Sequence, residues 1–439
     1  MTNPSTYSEP RFFFLMPVWG ITHIDYLLTY GLPTLLSPNN LPWLPNRALS
    51  QFIFITRSDD EKRIRASNLF KKLEALIPVK FLFLNFYQGD RLQKFDQLGE
   101  ALRLGASEAL GRGHCLFFHP DGLYSDGMVK HLYGIARSGK KACVTHGPNA
   151  AIEKIVPYLR ERNMLTFDEV NPMAPRVLAR ALMDNLHPDM TTHCLGNPNY
   201  PVDPYMGFWP SPKFDGALFR FVSLHPWLVD LSHLSEIVEF GAIDHNFIRL
   251  HGFLWSDIHV EVDSDNILAV GLKPENERNA IPNPGITYSP AANLARAMEG
   301  YSYCRYINFF FFHGLKVHTG DLDQDWYKFE VANLKWLNTA LLVVVPSFHF
   351  SNKVFSYVKE FFKYAVVERR PLYALKLSFK VSFGFLRGLW LIFRQLCRSP
   401  SKFLPRQCVP LAPEFCAVCR SDARRCLSGD WRLSNAASD

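Results

Sequence analysis

Between Arg11 and Thr145 the chain alternates short apolar runs with longer amphipathic ones. This alternation restricts the possible fold more than any other feature. Residues 11–19 (RFFFLMPVW) are too uniformly apolar for an edge strand and suit a strand covered on both faces. Thr22 to Leu36 then carries Ile24, Leu27, Leu28, Leu32 and Leu35 at helical spacing, with Gly31 and Pro33 weakening its end. After a loop at Pro38 to Pro42, further strands are expected at Gln51–Thr56, Val79–Leu84, Cys115–Phe118 and Lys141–Thr145. Helices are expected over about 60–76, opened by Ser58-Asp59-Asp60-Glu61, from Leu92 to Ala109 and over about 127–138. Strands alternating with helices of this length imply parallel βαβ units. The expected fold class is α/β: a Rossmann-like, mostly parallel sheet flanked by helices.

The pattern changes further on. Residues 188–215 are rich in Pro, Asn and Gly and suit a long loop. Strands are expected at Ala217–Leu224, Ile258–Val262 and Ile267–Leu272, the last two alternating as the arms of a hairpin. Helical patterns return over about 289–311 and 325–344. Over 353–397 basic residues interrupt a run of Phe, Leu and Val. At 100° steps counted from Pro371, a favoured first helical residue, Arg369, Lys376, Lys380, Arg387, Arg394 and Arg398 fall within one narrow arc. A broad apolar face with a basic stripe fits an interfacial helix over 371–397 and hence a membrane surface as partner. Arg387 in mid-segment argues against a span. A core helix with marginal Lys and Arg is the alternative. The tail after Ser399 has little periodicity and is expected to be disordered.

The net charge of +7 is local. Residues 353–406 carry 12 Lys/Arg against two Glu, whereas 1–352 is slightly acidic. Nucleic acid is therefore not an expected partner of the main body. Of nine cysteines, Cys408, Cys416, Cys419 and Cys426 crowd the tail at spacings that match no common zinc module. The first ten residues hold no apolar segment of the secretory kind, so a reducing, cytoplasmic setting is expected.

Candidate chemistry gathers at the expected strand ends. His114 to Gly127 runs from an apolar strand into a turn holding Asp121 and Asp126. In an open α/β sheet ligands sit at the carboxyl ends of strands. A carboxylate there suits a divalent cation, a ribose or a hexose, although Asp126 also suits a cap for the next helix. Trp19 and Gly20 close the first strand and Thr56 and Arg57 the second, positions fit for a base, a ribose or a phosphate. His146 and Asn149 follow the strand at 141–145 on the same edge. His225, expected to end the strand at 217–224, is a candidate phosphate or metal ligand. Asp244 is a candidate general base toward an acceptor hydroxyl. Asp263 and Asp265 form a second acidic cluster, which also reads as an ordinary turn. No P-loop, G-x-S-x-G, H-E-x-x-H or G-x-G-x-x-G is present, which removes several hydrolase, NTPase, zincin and dinucleotide-binding classes.

Residues 11–145 resemble the nucleotide-binding half of a GT-A fold glycosyltransferase. Met16-Pro17-Val18-Trp19-Gly20, Asn40-Leu41-Pro42, Pro120-Asp121, Ser125-Asp126-Gly127 and Gly241-Ala242-Ile243-Asp244 also resemble a group of bacterial glycosyltransferase-like proteins, the likeness covering about 11–285. The resemblance implies a nucleotide-sugar-binding half over 1–150 and an acceptor-side half over 151–285. A helical extension over 286–352, basic amphipathic helices over 353–398 and a tail over 399–439 would follow. It implies a hexosyltransferase of cell-envelope or surface-glycan synthesis at the inner face of a membrane. The partners would be a nucleotide-sugar donor and a glycan or lipid-linked acceptor. Asp121, Asp126 and His225 would be the metal candidates, Asp121 would hold the donor and Asp244 would activate the acceptor. Such enzymes carry a D-x-D at the acidic turn. Here the two aspartates are five residues apart, so a Mn²⁺ or Mg²⁺ cofactor stays open. A nucleotidyltransferase on the same sheet and a non-catalytic sugar- or nucleotide-binding scaffold are the alternatives.

Overall fold

The computed structural model describes residues 9–85, 91–195, 197, 199–201, 204–213, 215–222, 224–237, 245–277, 293, 294, 297 and 313–337. Asp244, the tail cysteines and the segment 371–397 lie outside the described residues. The strands in chain order are β1 (Phe12–Pro17), β2 (Gln51–Thr56), β3 (Val79–Phe83), β4 (His114–Phe117), β5 (Gly122–Tyr124), β6 (Ala142–Thr145), β7 (Asn149–Ala151), β8 (Met206–Pro210), β9 (Gly216–Phe221), β10 (His225–Asp230), β11 (Ile258–Val260), β12 (Ala269–Lys273) and β13 (Leu315–His318).

Seven of them form a central sheet in the order β11-β6-β10-β4-β1-β2-β3. Its pairs are parallel except that β10 runs antiparallel to both β4 and β6. The α/β class with a mostly parallel sheet flanked by helices is as expected. Both faces of the sheet are covered. Phe13, Leu15, Ile53, Ile55, Cys115 and Phe117 enter one core, and Phe12, Phe14, Met16, Phe52, Phe54 and Leu116 enter the other. This period-2 split explains why the strand sequences are apolar at every position. Phe14 stacks between Phe52 and Phe118, with ring centroids 6.1 Å away on either side.

Two smaller sheets hold the remaining described strands. In one, β12 lies between β5, to which it is antiparallel, and β7, to which it is parallel. In the other, β9 lies between β8 and β13, antiparallel to both.

Several elements differ from their sequence expectations. The hairpin expected from 258–262 and 267–272 does not form. Its first arm pairs with β6 (Val260 opposite Val144), and its second enters the small sheet between β5 and β7. Alternation alone does not select a partner, and here each arm finds a different buried edge. The strand expected over 217–224 stops at Phe221, and His225 begins β10 instead of closing it. The helix expected over 60–76 is two, Ser58–Arg65 and Asn68–Leu76, because the Ser67 hydroxyl accepts from the Leu69 amide and restarts the helix. The helix expected over 22–36 contains a π segment at Leu27–Gly31. Gly31 lies against the turn after β4, where a Cβ would stand 3.0 Å from the Pro120 carbonyl.

That turn is held from three sides. The Tyr124 hydroxyl donates to the His119 carbonyl (2.6 Å) and accepts from the His119 amide (2.8 Å), folding residues 119–124 back on themselves. A Cβ on Gly122 would meet that hydroxyl at 2.5 Å. The Leu272 amide of β12 donates to the Asp121 carbonyl at 2.8 Å. The third hold comes from Asn40, which is fully buried. Its Oδ1 accepts from the amides of Gly127 (3.2 Å) and Val129 (3.0 Å), capping the helix Met128–Arg137 from a distant loop. Its Nδ2 donates to the carbonyls of Thr34 and Ser125. Asn40→Ala would orphan several buried groups at once. It should lower stability by about 2 kcal/mol or more, measured as a shift in urea midpoint at unchanged slope.

Candidate functional site

The sheet direction decides what meets at its carboxyl edge. β1, β2, β4, β6 and β11 all end there. β10, running the other way, begins there, with His225 opposite Thr145. Trp19–Gly20, Thr56–Arg57, His119–Asp121, His225, His146 and Glu261–Asp265 therefore share one rim.

At the β1–β2 end, Asp60 is the organiser. Its carboxylate accepts from Arg57 Nε (2.7 Å) and Nη2 (3.2 Å), and from the Gly20 amide (2.9 Å). Burial alone would raise the Asp60 pKa, but these bonds outweigh it and hold the carboxyl below its ordinary value. Gly20 has φ +79°, a left-handed backbone that only glycine adopts freely. The guanidinium of Arg57 is pinned at the strand end yet its side chain keeps 41% exposure. Thr56 is fully buried, and its hydroxyl has no hydrogen-bond partner among the described residues. Asp60 stands inside the predicted helix-start motif, where sequence alone does not separate an anchor from a helix-opening acid.

In the middle of the rim, Asp121 is half-buried, and no described residue donates a hydrogen bond to its carboxylate. Tyr26 lies within electrostatic reach. Burial raises its phenol pKa first, and the charges of Glu153, Asp121 and Glu277 raise it further. Three histidines gather at this part of the rim, and Asp121 lies within electrostatic reach of one of them, His119. The ring centroids of His119 and His225 are 4.8 Å apart, and Trp227 lies 4.7 Å from His225. His146 stacks on Phe221 at 3.8 Å, and its Nδ1 lies 2.8 Å from the Gly147 carbonyl, to which it donates. Burial lowers the His119 pKa, with Asp121 opposing. Burial likewise depresses His146 to about 4, the Gly147 bond opposing and nearby His119 adding to the fall. His146 is thus neutral at pH 7, and the charge of Asp121 acts on His119. His119 stands in the predicted strand-to-turn run, but only the tertiary structure brings it to His225.

The remaining candidates have structural partners. Asp126 accepts from the Asn39 amide (2.8 Å) and Asn39 Nδ2 (2.7 Å), while Asn40 caps the helix that follows. Asn149 starts β7, where its carbonyl accepts from the His187 amide and its side chain fills the space beside Gly271. Asp265 is held by Arg176 Nη2 at 2.9 Å. Asp263 Oδ1 accepts from the Asp265 amide (2.8 Å) and from His318 Nε2 (2.9 Å), and His318 Nδ1 reaches the Gly320 carbonyl (2.5 Å). With an acceptor at each nitrogen, the His318 imidazolium is favoured. Burial opposes this but is outweighed, so its pKa is raised.

Asp121 and Asp126 do not offer a divalent cation a shared site, because Asn39 takes both Asp126 oxygens. Among the described residues the groups of three candidate ligand atoms within 4.8 Å are His131/His259/Glu261 and Asp263/Asp265/His318, neither of which includes Asp121. Among the described residues, then, no cluster of candidate ligand atoms gathers at Asp121.

The pKa shifts have opposite consequences for stability. An unfolded imidazole titrates near about 6.5. His146 titrates near 4 when folded, so between those values the unfolded chain binds the extra proton and stability falls as pH drops. His318, raised when folded, contributes stability below about pH 6.5 that is lost as pH rises through its folded value. NMR titration should find His146 neutral down to about pH 4, and urea midpoints for His146→Gln should fall less than wild type between pH 6.5 and 4.5. A His146 that titrates near 6.5 would contradict the burial argument.

No protein-family model matches the chain, and no curated protein matches it. Solved structures give distant likenesses. A protein from Bacillus anthracis named as a glucose-1-phosphate thymidylyltransferase, in complex with sucrose, is 12% identical over 33% of this chain and 57% of its own (TM-score 0.22). Mouse xyloside xylosyltransferase 1 is 10% identical over 36% and 61% (TM-score 0.22). The chain thus spans less than two thirds of the length of either protein. A mannosyltransferase from Pyrobaculum calidifontis, in complex with GDP-Man and Mn²⁺, is 10% identical over 86% and 88% (TM-score 0.26).

Proposed function

We propose that this chain is a glycosyltransferase of GT-A-like fold, moving a sugar from a nucleotide-sugar donor to a hydroxyl acceptor. One observation carries the proposal. The carboxyl edge places an exposed, pinned guanidinium at the β1–β2 ends and a half-buried carboxylate with no described donor at the β4 end. Neutral, aromatic-flanked imidazoles lie beyond them. A sugar nucleotide has the matching sequence of parts: a stacking base, an anionic diphosphate and a hydroxyl-bearing ring.

In this arrangement Trp19 and Gly20 receive the base and ribose, and Arg57 meets the diphosphate. Asp60 acts as a positioning residue by holding Arg57 and the Gly20 amide. Asp121 accepts hydrogen bonds from sugar hydroxyls, supplying the donors that its carboxylate lacks. The chemical demand is to stabilise negative charge on the departing diphosphate, the task of Arg57. His119 and His146, kept neutral by burial, provide polar contacts without adding charge beside the sugar. Asp244 is assigned the acceptor's general base, and the basic stripe of 371–397 the membrane surface where a lipid-linked acceptor resides. Both assignments rest on sequence. Any divalent cation would be held mainly by the donor's own phosphates.

The test is nucleoside diphosphate release across a panel of sugar nucleotides, with Mn²⁺, Mg²⁺ or EDTA. Asp121→Asn should lower kcat/KM by about 100-fold. Asp60→Ala should lower kcat/KM about ten-fold, with kcat falling as well as KM rising, because it loosens the guanidinium that meets the charge developing on the departing diphosphate. Release of pyrophosphate instead would identify a nucleotidyltransferase. Folded protein that binds donors without releasing either product would identify a scaffold.

A further inference from the structure

Where the helix Met128–Arg137 approaches β11, two imidazoles converge on one carboxylate oxygen. His131 Nε2 lies 2.7 Å and His259 Nε2 3.2 Å from the same Glu261 Oε2. All three ligand atoms lie within 4.8 Å of one another. The other carboxylate oxygen, Oε1, is already committed. It accepts from the amides of Val262 and Asp263 at 3.0 Å each and from Asn266 Nδ2 at 3.3 Å. Glu261 is therefore fixed in orientation and 4% exposed, while both histidines are partly open to solvent. Burial would raise the Glu261 pKa, but the bonds from His131, His259 and the Asp263 amide outweigh it, and the carboxyl stays ionised.

We propose that His131, His259 and Glu261 form a binding site for one transition-metal ion of the zinc class, with solvent completing the coordination. Two imidazoles and a carboxylate are a standard zinc donor set at bond lengths of about 2.0–2.1 Å, which place tetrahedral ligand atoms about 3.3 Å apart. The His259–Glu261 pair already has that separation. The His131–Glu261 pair must open by about 0.6 Å, within reach of a partly exposed side chain on a helix surface. Imidazole donors select zinc, cobalt or nickel over magnesium. The Oε1 hydrogen bonds are the outer support that such sites use to orient a ligating carboxylate. The neighbouring Asp263/Asp265/His318 group lacks this fitness, since His318 has an acceptor at each nitrogen and Arg176 holds Asp265. An ion at Glu261 would pin the helix to β11 and to the loop 261–266.

The test uses the full chain, stripped with a chelator and titrated with Co²⁺. Wild type should take up one equivalent showing visible bands of nitrogen–oxygen ligation without thiolate charge transfer, and Zn²⁺ should displace it and raise Tm. His131→Gln/His259→Gln should lose that equivalent. Its amides still donate to Glu261, so its urea midpoint and circular dichroism should stay near those of the metal-free wild type. Asn266→Ala should weaken Co²⁺ binding by about ten-fold. The tail cysteines remain in every variant, and cobalt bound there would reveal itself by thiolate charge transfer. Wild type without nitrogen–oxygen-type cobalt, or a double variant with the same bands and stoichiometry, overturns the proposal.

Discussion

The insertion of β10 between β4 and β6 is the constraint on which the rest of this structure depends. Buried backbone groups must be paired, and β4 and β6 each present an edge to the gap between them. One antiparallel strand satisfies both, with Leu228 opposite Leu116 on one side and His225 opposite Thr145 on the other. Its reversed direction has a chemical result. The residue that begins β10 arrives among residues that end their strands, and His225 thereby meets His119. Trp227, two residues along, buries itself against both imidazoles.

A rim of loops makes a usable site only if its turns are stiff, and here stiffness comes from hydrogen bonds made by buried side chains. Tyr124 closes the 119–124 turn on its own backbone, Asn40 caps the following helix from a distant loop, and β12 straps that turn to β7. Each bond satisfies a group that would otherwise be buried unpaired, so the geometry is costly to leave. Burial also sets the charge pattern. It discharges His119 and His146 because a charged imidazole loses more solvation than a neutral one. Asp121 is left half-buried, with no described residue donating to its side chain.

At the far end of the rim the logic is reversed, because there Glu261 and Asp263 are already met by protein donors. Glu261 receives two imidazoles, two amides and an amide side chain. Asp263 then ties His318 of β13 to the same loop, and Lys316 pairs its backbone with Val262 and Ser264. A buried carboxylate costs several kcal/mol unless this many donors surround it, on the order of the penalty for any buried ion. These bonds join the sheet of β8, β9 and β13 to the edge of the central sheet.

The apolar strands and their βα alternation were legible in the sequence because periodicity is local: Phe12 to Pro17 reports burial on both faces whatever its neighbours are. The Asp121 turn was legible too, since an acidic, glycine-rich turn after such a strand must lie at a carboxyl edge. Strand partners were not legible. Ile258–Val260 and Ala269–Lys273 alternate as a hairpin would, yet each pairs elsewhere, because burial in a sheet is decided by which edges remain open once the core has assembled. The roles of polar residues followed from those partnerships. Asn40 and Asp60 appeared as loop and helix-start residues, and the tertiary structure alone made one a remote cap and the other an anchor. His119, His225 and His146 are distant in the chain. Only the direction of β10 and the ends of β4 and β6 bring them to one rim, where long-range contact rather than local pattern determines chemistry.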